Sequence, residues 1–261
     1  MPFPKRFIIF DLDGTLTESK QPLSAEMARL LAELALQKKI IIISGCSFAQ
    51  FEKQFFPAWN AAFKESDFEA NENLTIMPAS GMQCYEYDSR TKAWKMSYAE
   101  TFPVPEKEMV MKVLNDIIDS HRFDVPEKHF GPYIEDRGSQ ITFSAFGQNA
   151  PLAVKKLWDP DQKKRQLIKQ EIESRIQNVS VGIGGSTSVD VLPEGMDKAA
   201  AIKKLLKRMQ LEPANAVFVG DALYPSGNDS SVILTGIETI SVSRPEETAE
   251  AMKKWLELEV V

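Results

Sequence analysis

The chain has 261 residues, 43% hydrophobic and 26% charged, which excludes disordered, collagen-like and coiled-coil architectures and allows one large domain or two modest ones. Lys plus Arg total 31 against 37 for Asp plus Glu, a net charge of −6, which argues against general affinity for nucleic acid or anionic membrane. Cys46 and Cys84 have neither zinc-site spacing nor disulfide density, so they predict buried thiols in a reducing cytoplasm. Met1 to Phe10 does not read as a signal peptide. The most apolar run, Ile40 to Ile43, falls far short of the roughly 20 residues of a membrane span.

Arg6 to Asp13 reads as an apolar strand ending in acidic residues and glycine. Ser24 to Lys38 follows as a helix, with Met27, Leu30, Leu31 and Leu34 at helical spacing and Ser24 as N-cap. Ile40 to Ser44 is apolar throughout, as a parallel strand covered on both faces is. After Ala79-Ser80-Gly81 the texture changes to two polar-aromatic strands, Gln83 to Tyr87 and Ala93 to Tyr98, joined as a hairpin. Pro105 to Ser120 is a helix, Ser139 to Phe146 an alternating strand with one wet face, Gln162 to Gln177 a charged helix and Val179 to Ile183 a strand. From Val189 the first texture returns: a strand to Leu192, a helix from Asp197 to Met209, the strand Ala216 to Gly220 and a last helix, Pro245 to Leu258. The expected fold is α/β, a doubly wound Rossmann-like parallel sheet with an inserted α+β cap. The core is expected from residues 1–84 and 188–261, and the cap from residues 85–187.

The sharpest local signal is Phe10-Asp11-Leu12-Asp13-Gly14-Thr15-Leu16-Thr17, at the carboxyl end of the first strand, where open α/β sheets place their ligands. Two carboxylates two residues apart in extended chain share one side. At ~4 Å they repel by about 4 kcal/mol at an effective dielectric of ~20, so they call for a cation. Gly14 permits the sharp turn. Asp-Gly alone is a common turn; the whole block behind an apolar strand marks a site.

With that block the chain resembles the haloacid dehalogenase superfamily of aspartate-nucleophile phosphotransferases, whose first motif is Asp-x-Asp-Gly-Thr. Ile40 to Ile43 leading into Ser44-Gly45 looks like the second motif, and Gly195-Met196-Asp197-Lys198 like the third. Ala216 to Gly220 ending on Asp221, with Gly227-Asn228-Asp229 behind it, looks like the fourth. The resemblance implies that Asp11 is the nucleophile and that Asp13 protonates the leaving oxygen, then activates water. Ser44 and Lys198 complete the catalytic set. The phosphate would be held by Leu12, Asp13, Ser44, Gly45 and Lys198, and Mg²⁺ by Asp11, the Asp13 carbonyl and Asp221. Asn228 and Asp229 ligate the metal directly, ligate it through water, or fix Lys198.

The long insert resembles the class II cap that this superfamily's sugar phosphatases share with eukaryotic-type phosphomannomutases. Glu135-Asp136-Arg137 and the run from Gly184 to Lys198 look like mutase segments. They imply that Arg137 contacts a distal phosphate and that Ser188 and Asp190 contact sugar hydroxyls; an ion pair of Arg137 with Glu135 or Asp136 is the alternative. Two departures weaken the mutase likeness. Gln148 stands where such mutases carry a second arginine, with Lys155 the next cation, and Lys20 replaces another. Arginine grips phosphate bidentately, lysine only as a point charge. His121 and His129 form no hydrolytic triad, and Gly182 to Gly185 lacks a dinucleotide-site context. The expected protein is a cytoplasmic, Mg²⁺-dependent phosphatase acting on a small phosphate ester such as a phosphorylated sugar. Phosphomannomutase is the second reading and a non-catalytic sugar-phosphate sensor the third.

Overall fold

A computed structural model describes residues 3–62, 68–225 and 227–259. In chain order the strands are β1 (Phe7–Asp11), β2 (Lys39–Ile43), β3 (Leu74–Met77), β4 (Gln83–Asp88), β5 (Ala93–Ala99), β6 (Ile134–Asp136), β7 (Ile141–Ser144), β8 (Val179–Gly184), β9 (Ser188–Pro193), β10 (Ala216–Gly220) and β11 (Glu238–Ser241). The helices are α1 (Ala25–Ala35), α2 (Phe48–Gln54), α3 (Phe56–Ala61), α4 (Phe68–Glu72), α5 (Val104–Asp119), α6 (Leu152–Trp158), α7 (Lys163–Arg175), α8 (Lys198–Arg208) and α9 (Pro245–Glu259). They form two compact units, Met1–Ala99 with Lys198–Val261, and Glu100–Asp197.

The first unit holds a seven-stranded sheet in the order β11-β10-β1-β2-β3-β4-β5. From β11 to β3 the pairing is parallel. β1, β10 and most of β2 are buried on both faces, which is why these segments read as unbroken apolar runs. The chain winds outward from β1 through β2 to β3, then returns to lay β10 on the other side of β1. The gap between the carboxyl ends of β1 and β10 is therefore the topological switch point, where doubly wound sheets bind ligands. Ser24 caps α1 by accepting from the Met27 N–H at 3.1 Å, and Met27, Leu30, Leu31 and Leu34 are buried, as their spacing predicts.

The second unit holds a four-stranded antiparallel sheet in the order β6-β7-β9-β8. Ile141, Phe143, Val181, Val189 and Val191 pack with Val110, Val113 and Leu114 of α5 and with Ile168 and Ile172 of α7. Architecture and class match the expectation; the segment boundaries do not. The β4–β5 hairpin belongs to the first sheet, where β4 pairs with β3, Tyr85 stacks on Phe48 at 3.8 Å and Glu86 accepts from Arg208 of α8 at 2.5 Å. Its polar texture comes from its place at the sheet edge. β9 belongs to the second sheet, between β7 and β8, so the unit changes at Ala99 and Lys198, not at 84 and 187. The polar face of β7 is also not wet. Gln140, Thr142 and Ser144 are buried, and hydrogen bonds satisfy them in place of water: Gln140 Nε2 donates to Thr142 Oγ1 at 2.9 Å, and Thr142 Oγ1 to Asp190 Oδ1 at 2.7 Å.

Candidate active site

Asp11 ends β1 and Lys198 opens α8, and both are buried. Lys198 Nζ donates to Asp11 Oδ1 at 2.5 Å and to Asp229 Oδ1 at 2.5 Å. Asp229, fully buried, also accepts from the Ala222 N–H through Oδ2 at 3.2 Å. Asp221 directly follows β10. One carboxylate oxygen each from Asp11, Asp221 and Asp229 lies within 4.8 Å of the others. Two glycines make room for this. A side chain on Gly14, which sits at φ +94°, would strike the Asp221 carboxylate, and one on Gly220 would strike Asp229.

Three carboxylates and one ammonium sum to −3 + 1 = −2. Burial pushes the Asp11 carboxyl well above the usual carboxylate range; the neighbouring Asp229 and Asp221 charges add to this, and Lys198 opposes it. Asp221 is pushed up to about 6, first by burial and then by Asp229. Burial works against the Lys198 charge, yet the attraction of Asp11 and Asp229 exceeds it and keeps the lysine protonated. A cluster of hard oxygen donors that is two charges short of neutral fits Mg²⁺.

Asp13 lies two residues past Asp11, in the loop that follows β1. Its Oδ1 accepts from the Lys20 backbone N–H at 2.6 Å and from Gln54 Nε2 at 2.9 Å. Ser44 follows β2, the strand adjoining β1, with Asp11 level with Ile43. It is buried, and its Oγ accepts from the Cys46 N–H at 3.2 Å. Gly45 is half-buried beside it, as is Asn228 beside Asp229. Of the alternatives left open for Asp229, the structure brings it onto both Lys198 and the carboxylate cluster. Leu12 is fully buried, and its carbonyl accepts from the N–H groups of Leu16 and Thr17 at 2.9 and 3.0 Å. Gln54 carries no motif, and sequence reading passed it over.

The remaining expected site residues belong to the second unit. Arg137, just past β6, forms the alternative ion pair: its Nε and Nη2 donate to Glu135 Oε2 at 3.2 and 2.6 Å. Gln148 follows β7; its carbonyl accepts from Lys155 Nζ at 2.7 Å, while its Nε2 is buried with no hydrogen-bond partner among the described residues. Ser188 and Asp190 lie on β9 opposite Ser144 and Thr142. Ser188 Oγ donates to Ser144 Oγ at 3.4 Å, and Gly184 leaves room for the Asp190 carboxylate. The sequence also gave no sign of the buried Arg165–Asp159 pair at 2.8 Å in this unit.

The doubly wound sheet, the inserted antiparallel unit and the acidic switch point with its lysine place the protein among the enzymes of the haloacid dehalogenase superfamily. The profile of the family described as eukaryotic phosphomannomutase matches residues 27–258, and the chain belongs to that family. It is 28% identical over 260 residues to a phosphomannomutase of Schizosaccharomyces pombe, covering 97% of this chain and 95% of the relative. With a phosphomannomutase of Encephalitozoon cuniculi it shares 27% over 264 residues, covering 96% and 94%. In fold it is similar to a haloacid dehalogenase-like hydrolase from Bacteroides thetaiotaomicron, with TM-score 0.59, 18% identity and 96% and 99% coverage. It is also similar to the Plasmodium falciparum IMP-nucleotidase, with TM-score 0.72, 16% identity, and 98% of this chain and 69% of that one covered. Among the described residues no helix is long and apolar enough to cross a membrane.

Proposed function

We propose that the protein is a cytoplasmic phosphatase that hydrolyses a small phosphate ester, such as a phosphorylated sugar, through an aspartyl phosphate on Asp11. The observation that carries this reading is the buried Asp11 at the switch point, 2.5 Å from Lys198 and clustered with Asp221 and Asp229. An Asp11 oxygen attacks phosphorus as the ester P–O bond breaks. Asp13 gives its proton to the leaving oxygen, then takes one from the water that attacks the phosphoenzyme. Lys198 offsets charge on the transferred group, and Ser44 with the backbone N–H groups of Leu12, Asp13 and Gly45 holds its oxygens. Mg²⁺ would be held by Asp11, Asp221, Asp229 and the Asp13 carbonyl, with Asn228 beside them. When bound, it offsets the cluster's negative charge and that of the phosphate.

Hydrolysis is favoured over mutase action by Gln148 and Lys20. A mutase holds a second phosphate while the first is exchanged, and a neutral carboxamide grips phosphate less firmly than a guanidinium. Phosphomannomutase is the second reading, supported by the family match and the similar relatives. In that case Arg137 would leave Glu135 for a phosphate, with Ser188 and Asp190 contacting the sugar. Phosphorus NMR of mannose 1-phosphate with Mg²⁺ and a hexose bisphosphate activator separates the readings. Free phosphate with little mannose 6-phosphate is the expected outcome; rapid exchange without free phosphate establishes the mutase. Tight binding without either reaction would make the protein a sensor.

A further inference from the structure

Gln54, at the end of α2, is almost fully buried and lies beside the nucleophile loop. Its Nε2 donates to Asp13 Oδ1 at 2.9 Å and to Thr17 Oγ1 at 2.7 Å, while its Oε1 accepts from Gln50 Nε2 at 3.1 Å. Thr17 Oγ1 spends its own hydrogen on the Leu12 carbonyl at 3.4 Å. This chain of bonds fixes which way round the amide lies, because the flipped amide would set its oxygen against the Asp13 carboxylate and leave Thr17 Oγ1 without a donor. The Gln54 carbonyl also accepts from the Leu23 N–H at 2.8 Å, so α2 grips both ends of the loop. Lys20 adopts a left-handed φ of 59° and brings its N–H to the same Asp13 oxygen at 2.6 Å. Two N–H groups from different elements thus converge on one oxygen of one carboxyl.

A carboxyl oxygen that already accepts two N–H bonds has its lone pairs engaged, which leaves the other oxygen as the one that can exchange a proton with substrate or water. We infer that Gln54 is a positioning residue for the acid–base step: it locks the Asp13 carboxyl so that Oδ1 stays an acceptor and Oδ2 presents and recovers the proton. This rests on the assignment of Asp13 as acid and base above. In the first half-reaction the Asp11–phosphorus bond forms, the ester P–O bond breaks, and the Asp13 Oδ2 proton goes to the leaving alkoxide, giving an alcohol and the Asp13 carboxylate. In the second, water gives one proton back to Oδ2 and its oxygen to phosphorus, releasing phosphate and Asp11. A misaligned Asp13 harms the first half only when the leaving group needs a proton.

The test compares phosphoenzyme formation from mannose 6-phosphate, whose alkoxide needs that proton, and from p-nitrophenyl phosphate, whose leaving group does not. Single-turnover rates are measured for the wild type, Gln54→Leu, Gln54→Glu, Asp13→Asn and the double variant Asp13→Asn/Gln54→Leu, with the Mg²⁺-loaded protein. Gln54→Leu is expected to slow the mannose 6-phosphate step by about 100-fold, at the low end of what general acid catalysis contributes. The p-nitrophenyl phosphate burst should stay within about threefold and substrate affinity should not change. Gln54→Glu keeps the shape of the side chain and should show the same selective loss if Gln54→Leu does not fold. Adding Gln54→Leu to Asp13→Asn should cost nothing further on mannose 6-phosphate. Equal slowing of both substrates, or no slowing in a protein that Asp13→Asn disables, overturns the role of Gln54. Undiminished mannose 6-phosphate turnover by Asp13→Asn, or no phosphoenzyme from either ester in the wild type, overturns the acid–base reading itself.

Discussion

Both units bury a cation against carboxylates, and they do so with different charge sums. In the first unit Lys198 lies between Asp11 and Asp229, with Asp221 close by, and the group is two charges short of neutral. In the second, Arg165 meets the single carboxylate of Asp159, and both side chains are almost wholly buried. There each side-chain nitrogen and oxygen has a hydrogen-bond partner. Arg165 Nε donates to Asp159 Oδ2 at 2.8 Å, Nη2 to the Asp159 carbonyl at 3.0 Å and Nη1 to the Gly185 carbonyl, while Asp159 also accepts from the Lys164 and Arg165 N–H groups. This pair ties the α6–α7 turn to the β8–β9 hairpin. Burial of charge therefore does not by itself mark a site; imbalance does. The neutral pair is complete without a ligand, whereas the acidic cluster gains from a cation and from a phosphoryl group bridging to it.

Substitution in each cluster should therefore harm different properties. Asp11→Asn is expected to lower turnover by a factor on the order of a thousand or more, because an amide is a poor nucleophile. Its melting temperature should stay near that of the wild type, since removing one of three crowded carboxylates relieves repulsion. Wild-type turnover by the folded variant would remove the covalent route. Arg165→Met should do the reverse and cost about 3–5 kcal/mol of stability, because it strands Asp159 in the interior. Adding Asp159→Leu should restore most of that loss, as measured by chemical denaturation. A single variant as stable as the wild type would show that the pair is not buried in solution.

The first unit's buried centre could be read from sequence because strands covered on both faces are apolar without interruption: β1, β2 and β10 stand out for this reason. Asp11, Asp221 and Lys198 were legible because each is fixed to a strand end or a helix start by a short motif. The β4–β5 hairpin was not, since an edge strand alternates polar and apolar residues in either unit. β9 misled for the opposite reason. Val189, Val191 and Leu192 make it look like a parallel core strand, while its antiparallel partners are distant in sequence. Gln54 remained hidden because its role depends on a long-range contact, and Arg165 because its pairing with Asp159, six residues away, depends on how the α6–α7 turn folds back. The Gln54–Asp13 bond spans 41 residues, and no local period or motif announces such a bond.

Mg²⁺ sharpens the contrast between the clusters. At 100 times its dissociation constant, a ligand that binds only the folded state stabilises it by about 2.7 kcal/mol. The wild type and Arg165→Met should each gain about that much. Asp221→Ala should gain little, having lost a third of its carboxylate donors. An equal Mg²⁺ shift in Asp221→Ala, read by differential scanning calorimetry, would move the metal away from this cluster.

The smallest effect, and the most specific to charge imbalance, is the pH dependence of the metal-free protein. The folded pKa of Asp221, about 6, lies above the ordinary aspartate value of 3.8. Between these values the folded state binds more protons than the unfolded chain, so this residue's contribution to stability falls as pH rises from about 4 to about 6 and is flat above. Other carboxylates push the opposite way: Asp88, held down to about 2 chiefly by its hydrogen bond from Lys95, contributes stability that is lost only as pH falls below about 4. The informative quantity is therefore the difference between the wild type and Asp221→Ala, measured by urea denaturation in chelator across that range. The wild type should lose stability relative to the variant as pH rises, by about 1 kcal/mol in total, because solvent reaching Asp221 screens the repulsion. Saturating Mg²⁺ should reverse the sign, since the ionised carboxylate then has its cation. A difference that is flat in chelator, or that rises with pH, would show that the cluster is not crowded with negative charge when the metal is absent.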